Sequence, residues 1–245
     1  MKVSLFLLVL FYLFFGLILA KNLRENEENS TFDNTVKCDI ISGEKLKKYL
    51  LEDNIYVIDT RKLSKSARGY IPNTILIPLS MFSFINSIIP VGSEVIIITE
   101  IEEKQIAIDK FIELFSYKLL GYSIFNKINE NNIFELQVVE YNPNSNKNIQ
   151  EIVDKGENII DIREINEVKK TGYIQNAKLI PLKNFLKDYN KVPKNGTVFI
   201  FCQSSARAVI GMTFLKKKGY TNRFVVMKGG MNRVIEEGYP LVELV

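Results

Sequence analysis

The chain of 245 residues contains no histidine and only two cysteines, Cys38 and Cys202. Without an imidazole the commonest general base and the commonest metal ligand are missing, which excludes serine triads, cysteine–histidine proteases and histidine-based zinc sites. Two cysteines cannot build a disulfide framework or a cysteine-rich metal site. A single bridge between them stays open as an alternative, but it would consume the one plausible nucleophile. An excess of either charge is also missing: the formal net charge is only +4. There is no long basic stripe with interleaved aromatics, so nucleic acid is not an expected partner. The run Lys216-Lys217-Lys218 needs no ligand, because cations favour the last turn of a helix and Gly219 supplies the stop. No motif calls for a cofactor or a metal.

What is present is ordinary globular material, 47% hydrophobic and 24% charged, enough to bury a core. The amino terminus is separate. Met1-Lys2 precedes an uncharged stretch, Val3 to Ala20, rich in Leu and Phe, and a polar segment from Lys21 follows. This pattern predicts a signal peptide cleaved near Ala20 or, with Ile18 in place of a small residue, an uncleaved signal anchor over residues 3–20. Either one predicts the secretory pathway or secretion, with membrane attachment only if the segment is retained. Residues 21–37, acidic and Asn-rich, read as a solvated linker.

The rest of the chain repeats itself. Ile58-Asp59-Thr60-Arg61 and Gly69-Tyr70-Ile71-Pro72-Asn73 return as Ile160-Asp161-Ile162-Arg163 and Gly172-Tyr173-Ile174-Gln175-Asn176. The aspartates lie 102 residues apart, and Pro78 and Pro181 lie 103 apart. That period is too long for a solenoid and suits a small domain, so the reading is two units, 38–141 and 142–245, joined near the Asn-rich stretch from Tyr141 to Lys147. In the second unit, helical spacing at Ile149, Ile152 and Val153 ends at Gly156. Apolar runs at 159–162, 177–180, 198–201 and 224–227 then predict strands. Short apolar strands between helices imply an α/β fold, a small parallel sheet with helices on both faces in each unit. Ligands in such folds sit at the carboxyl ends of strands.

Cys202 falls at such an end, where Val198-Phe199-Ile200-Phe201 hands over to Gln203-Ser204-Ser205-Ala206-Arg207 and a helix. Amides in a first helical turn lack partners and carry the positive end of the dipole, so the loop should hold a thiolate and the anion it attacks. The bland alternative is a small buried hydrophobe at a strand end. In the first unit the same offset puts Thr99 where Cys202 stands, with Glu100, Glu102 and Glu103 in the loop and Lys104 opposite Arg207. Carboxylates there would repel an anion, so the first unit should be inert. Because Asp59 and Arg61 persist without the nucleophile, Asp161 and Arg163 read as a structural ion pair.

Taken in order, Asp161-x-Arg163-Glu164, Gly172-Tyr173-Ile174, Cys202-x-x-x-x-Arg207 and Gly229-Gly230 make the second unit resemble a rhodanese domain, with the first unit similar over Ile58 to Leu79. The resemblance implies tandem rhodanese-like domains, an inactive first and a catalytic second. It further implies a ping-pong sulfurtransferase in which Cys202 takes the outer sulfur of a small donor such as thiosulfate. The persulfide then passes it to cyanide, a small thiol or a protein thiol. The amides of Gln203, Ser204, Ser205, Ala206 and Arg207 would cradle the sulfur, and the Arg207 side chain would neutralise the donor. The chain departs from the family pattern at Ser205, where a glycine is common, at Tyr173 for a histidine and at Val234 for a tryptophan. Gly229-Gly230 reads as a turn rather than a phosphate cradle. Two other readings compete: a non-catalytic, protein-binding scaffold, and a cysteine phosphatase, disfavoured because only four residues separate Cys202 from Arg207.

Overall fold

Among the described residues, the central strands of both sheets form from continuous apolar runs. The computed structural model describes residues 38–114, 116–130, 132–143 and 145–244, so both the expected signal segment (1–20) and the expected linker (21–37) lie outside the described residues. After helix α1 (Gly43–Tyr49), capped where Ser42 Oγ accepts from the Lys45 amide, the chain lays down β1 (Ile55–Asp59), the short helix α2 (Leu63–Ser66) and β2 (Ile75–Leu76). Then come β3 (Glu94–Thr99), α3 (Lys104–Glu113), β4 (Lys118–Ile124) and α4 (Phe125–Asn129). All pairings are parallel, in the order β2-β1-β3-β4. Every residue of β1 is buried, as a strand covered on both faces requires.

The second half follows the same plan: β5 (Tyr141–Asn142), α5 (Asn146–Asp154), β6 (Asn158–Asp161), α6 (Ile165–Thr171), β7 (Lys178–Leu179), α7 (Phe185–Asp188), β8 (Thr197–Phe201), α8 (Ala206–Lys217), β9 (Arg223–Met227) and α9 (Gly230–Glu236). Its sheet order is β5-β9-β8-β6-β7, again parallel. The fold is therefore the mixed α/β class expected, with two parallel sheets flanked by helices.

Registers recur between the sheets. Ile58 pairs with Ile75 and Ile97, and Ile160 pairs with Lys178 and Ile200. The amides of Ile77 and Ile180 donate to Asp59 and Asp161 carbonyls, and Asn73 and Asn176 share a left-handed backbone, φ 65° and 66°. One expectation needs correction. The stretch from Tyr141 is not simply a connector, because Tyr141 and Asn142 pair with Val226 and Met227 as an edge strand. The amides of Val226 and Lys228 donate to Glu140 and Asn142. A two-residue edge strand has no apolar run to advertise it.

Residues 38–245 form one compact unit, and a single apolar cluster runs through both halves, from Ile58 and Val95 to Val198 and Phe214. Helix α8 lies in it, with residues Ala208 to Leu215 all buried, as expected for a helix that is apolar all round. Thr213 Oγ1, which donates to the Val209 carbonyl, accepts from the Leu76 amide at 3.1 Å, satisfying an amide at the edge of the other sheet. At the far end of α8 the three lysines reach across to the first half. Lys216 Nζ lies 3.1 Å from Gln137 Oε1, Lys217 Nζ donates to the Glu52 carbonyl and Lys218 Nζ to the Tyr56 hydroxyl. Burial pushes Lys216 and Lys217 below the ordinary lysine range.

Candidate active site

Strand β8 ends at Phe201, and Cys202 follows at the carboxyl edge of the sheet, fully buried. The backbone turns back on itself at Ser205, whose φ of +81° and ψ of −29° are left-handed. A residue with a Cβ adopts that conformation at a cost of about 1–2 kcal/mol. Ser205 offsets part of it: its Oγ accepts from the Gly229 amide at 2.7 Å, a bond that the family's glycine could not make. The turn brings the amides of Ser204, Arg207 and Ala208 to bear on the Cys202 sulfur, where they favour its charged form. Of the expected cradle, Ser204 and Arg207 thus contribute their amides, with Ala208 joining them. Gln203 instead uses its side chain, donating to Asn232 Oδ1.

The helix beyond β9 completes the support. The amides of Met231 and Asn232, at the start of α9, donate to the Cys202 and Gln203 carbonyls at 2.8 and 3.0 Å. Gly230 permits this approach, since a Cβ there would lie 2.3 Å from the Cys202 carbonyl oxygen. The Gly229-Gly230 pair is a turn that buttresses the loop.

Arg207 is not a free guanidinium. Its two terminal nitrogens form a fork on Glu167, Nη1 to Oε2 at 2.6 Å and Nη2 to Oε1. Glu167 Oε2 also accepts from the Glu164 amide, in a capping box that starts α6. The pair holds the Glu167 carboxyl below its ordinary range and raises Arg207. Arg207, expected to neutralise the donor, is thus held by Glu167 and adds positive potential at the sulfur from that fixed position. Glu167 was not foreseen, although the acid pair Glu164 and Glu167, three apart just after Arg163, carries the capping-box signal.

The thiol differs from expectation as well. Burial pushes Cys202 above the ordinary thiol range, outweighing the opposing pull of the three amides and of Arg207. Dipoles converge on the sulfur as the sequence implied, but the apolar cluster around it disfavours the resting thiolate.

Asp161 and Arg163 form a buried pair, Arg163 Nη2 to Asp161 Oδ2 at 2.6 Å, with further bonds from Nη2 to the Gly172 carbonyl and Nη1 to Thr171 Oγ1. Asp59 and Arg61 repeat it at 2.6 Å with the Gly69 carbonyl. Cys38 is half-buried and free. Among the described residues no cluster of three or more Cys, Asp or Glu side chains could hold a metal ion, and no helix is long and apolar enough to cross a membrane.

Over the loop opens a cleft of about 790 Å³. Ser204, Ser205 and Ala206 form its floor, with Cys202 beneath them rather than on its surface. Its walls come from both halves: Leu63, Ala67 and Arg68 from the first, Tyr141 and Lys228 from the second. Burial, with the Cys202 charge adding to it, raises the Tyr141 phenol above its ordinary value. Tyr141 was missed because it lies 61 positions from Cys202 in the chain.

Comparison with known proteins places this geometry. The model of the rhodanese-like domain matches residues 145–237. The uncharacterized protein YqhL of Bacillus subtilis is 33% identical over 75 residues, covering 31% of this chain and 58% of the relative. A sulfurtransferase of Allochromatium vinosum is 30% identical over 84 residues, covering 34% of this chain and 77% of the relative. Among solved structures, the thiosulfate sulfurtransferase of Pseudomonas aeruginosa is similar at 16% identity over 83% of this chain and 43% of that one, TM-score 0.36. A rhodanese-related protein of Thermoplasma volcanium is similar at 26% identity over 42% of this chain and 98% of that one, TM-score 0.37. The chain thus spans 58% of the Bacillus relative and 43% of the Pseudomonas protein. With a domain match that encloses Cys202, Arg207 and their supporting helices, and with a relative of which it covers more than two thirds, the chain belongs to the rhodanese-like family.

Proposed function

We propose that the protein is a sulfurtransferase that carries sulfane sulfur on Cys202, with 142–245 as the catalytic rhodanese-like domain and 38–141 as an inactive one. The observation that carries this reading is the position of Cys202 at the carboxyl end of β8, in a left-handed loop that leads into α8 and is buttressed by the Met231 and Asn232 amides. A persulfide needs donors to hold its charge, and the Ser204, Arg207 and Ala208 amides are placed to act as such. In the first step the Cys202 thiolate attacks the outer sulfur of thiosulfate, the S–S bond of the donor breaks, and sulfite leaves with its electron pair. In the second an acceptor thiolate attacks the outer sulfur of the persulfide, and the Cys202 sulfur departs as thiolate. Neither displacement itself moves a proton, but the raised Cys202 thiol must first lose its own to solvent, since the chain has no histidine to take it. The name of the Allochromatium relative, a sulfurtransferase, supports the same chemistry.

Complete burial of Cys202 favours a second reading, a non-catalytic scaffold. Mass spectrometry of the full chain after exposure to thiosulfate separates the two. One added sulfur on Cys202, absent from Cys202→Ser, is expected, and an unmodified thiol would leave the scaffold.

A further inference from the structure

The chain leaves β4 and β9 in different ways. After β9 the Gly229-Gly230 turn lets the Met231 and Asn232 amides reach the Cys202 and Gln203 carbonyls, which fills the space beside that loop. Helix α4 follows β4 directly, beginning with Phe125 and Asn126, and among the described residues none of its amides reaches the loop after β3. A second cleft, of about 370 Å³, opens there at the carboxyl ends of the first half's strands, where parallel sheets receive ligands. Tyr122, Ile124 and Ile128 give it an apolar lining, joined by Ile40 and Ile101, which stand 69% and 51% exposed. Lys104 and Lys127 line it too, and no carboxylate does. Lys104 Nζ lies 5.7 Å from the centre of the Tyr122 ring, and neither lysine has an ion-pair partner among the described residues. Glu100 and Glu103, from the same loop, lie instead against Lys65 and Lys62.

We propose that this cleft binds a medium-chain monocarboxylate of about six to ten carbons, a size for cavities near the small end of ligand sites, with its head between Lys104 and Lys127 and its chain on Ile40, Ile101 and Ile128. Two ammoniums suit the two oxygens of a carboxylate, each taking one as a point charge. A phosphate or a nucleotide would bring further oxygens, and the cleft has neither an arginine fork nor a carboxylate to meet a sugar. The chain of such an acid takes exposed isoleucine surface out of water, which is the driving force for its binding. The site owes nothing to sulfur chemistry, since it lies in the half that carries Thr99 where the other carries its thiol. A Cys202 that takes up no sulfur leaves it standing. It gives the first half a ligand of its own.

The test titrates the full chain by calorimetry with octanoate, hexanoate and octan-1-ol. Octanoate should bind roughly tenfold more tightly than hexanoate, the scale of two buried methylenes, and roughly fivefold to tenfold more tightly than the uncharged alcohol, the scale of two exposed charge pairs. The advantage over the alcohol should shrink with added salt, collapse toward unity in Lys104→Gln/Lys127→Gln and persist in Lys104→Arg/Lys127→Arg, a pair that separates lost charge from lost folding. Ile101→Ser should weaken octanoate and octan-1-ol alike. Absence of saturable binding, an alcohol bound as well as the acid, or a preference for the acid that survives the double glutamine variant overturns the inference.

Discussion

The two halves hold the same buried Asp–Arg pair but place opposite charges around the ends of β3 and β8. After β3 the loop carries acids, and the neighbouring helix α2 answers with bases: Lys65 lies 3.4 Å from Glu100 and Lys62 4.0 Å from Glu103. After β8 the loop carries a base, Arg207, and α6 answers with an acid, Glu167. Lys65 and Glu167 stand 102 positions apart, so matching helix positions carry opposite charges, each answering its own loop from a different loop position. The frame belongs to the fold, and the sign of the loop belongs to the chemistry. Where Cys202 receives amide dipoles and a guanidinium, Thr99 Oγ1 is buried without a hydrogen-bond partner.

The largest effect should come from moving the nucleophile. In a Thr99→Cys/Cys202→Ser protein the new thiol faces a loop of carboxylates and should take no sulfur from thiosulfate; mass spectrometry showing a persulfide at position 99 would mean that loop polarity does not decide activity. Next in size, Asp59→Asn and Asp161→Asn should each destabilise the protein by about 3–5 kcal/mol, the cost of leaving a buried charge unpaired. Denaturant unfolding giving very different losses would show that the two frames are not equivalent.

Ser205 sharpens the contrast at a smaller scale. Ser205→Ala keeps the left-handed strain and loses the bond to Gly229, so it should cost about 1 kcal/mol, while Ser205→Gly loses bond and strain together and should be near neutral. Equal losses in melting experiments would sink the strain argument. The smallest effect concerns protons. A thiol raised by burial is protonated at pH 7, so alkylation of Cys202 should be slower than for a free thiol and climb through pH values above about 8.5. The sign for stability follows: this contribution is complete below the thiol's unfolded pKa and is lost as pH rises through the folded value. Alkylation as fast at pH 7 as at pH 9 would contradict it.

How much of this could be read from residues alone follows physical range. The runs 198–201 and 224–227 announce strands through continuous apolarity, and the matched Asp-x-Arg and Gly-Tyr-Ile segments announce two equal frames. Cys202 and its turn were legible because strand, loop and helix are contiguous. Glu167 on Arg207, Tyr141 in the cleft and the lysines of α8 on Gln137, Glu52 and Tyr56 were not, since half-exposed polar groups that meet across dozens of residues leave no periodicity. The raised thiol escaped for a related reason: the local sequence shows the dipoles that lower it, whereas the apolar cluster that raises it is assembled from both halves.

Helix α8 has one more consequence. Its amino end delivers the Arg207 and Ala208 amides to the sulfur, its middle satisfies an amide of β2 through Thr213, and its last turn grips the first half. A fragment starting at Asn142 would strip one flank of the buried, mostly apolar middle of α8 and hand it to water, inviting self-association before any chemistry could be assayed. The first half is thus a permanent lining that keeps water from the apolar middle of α8.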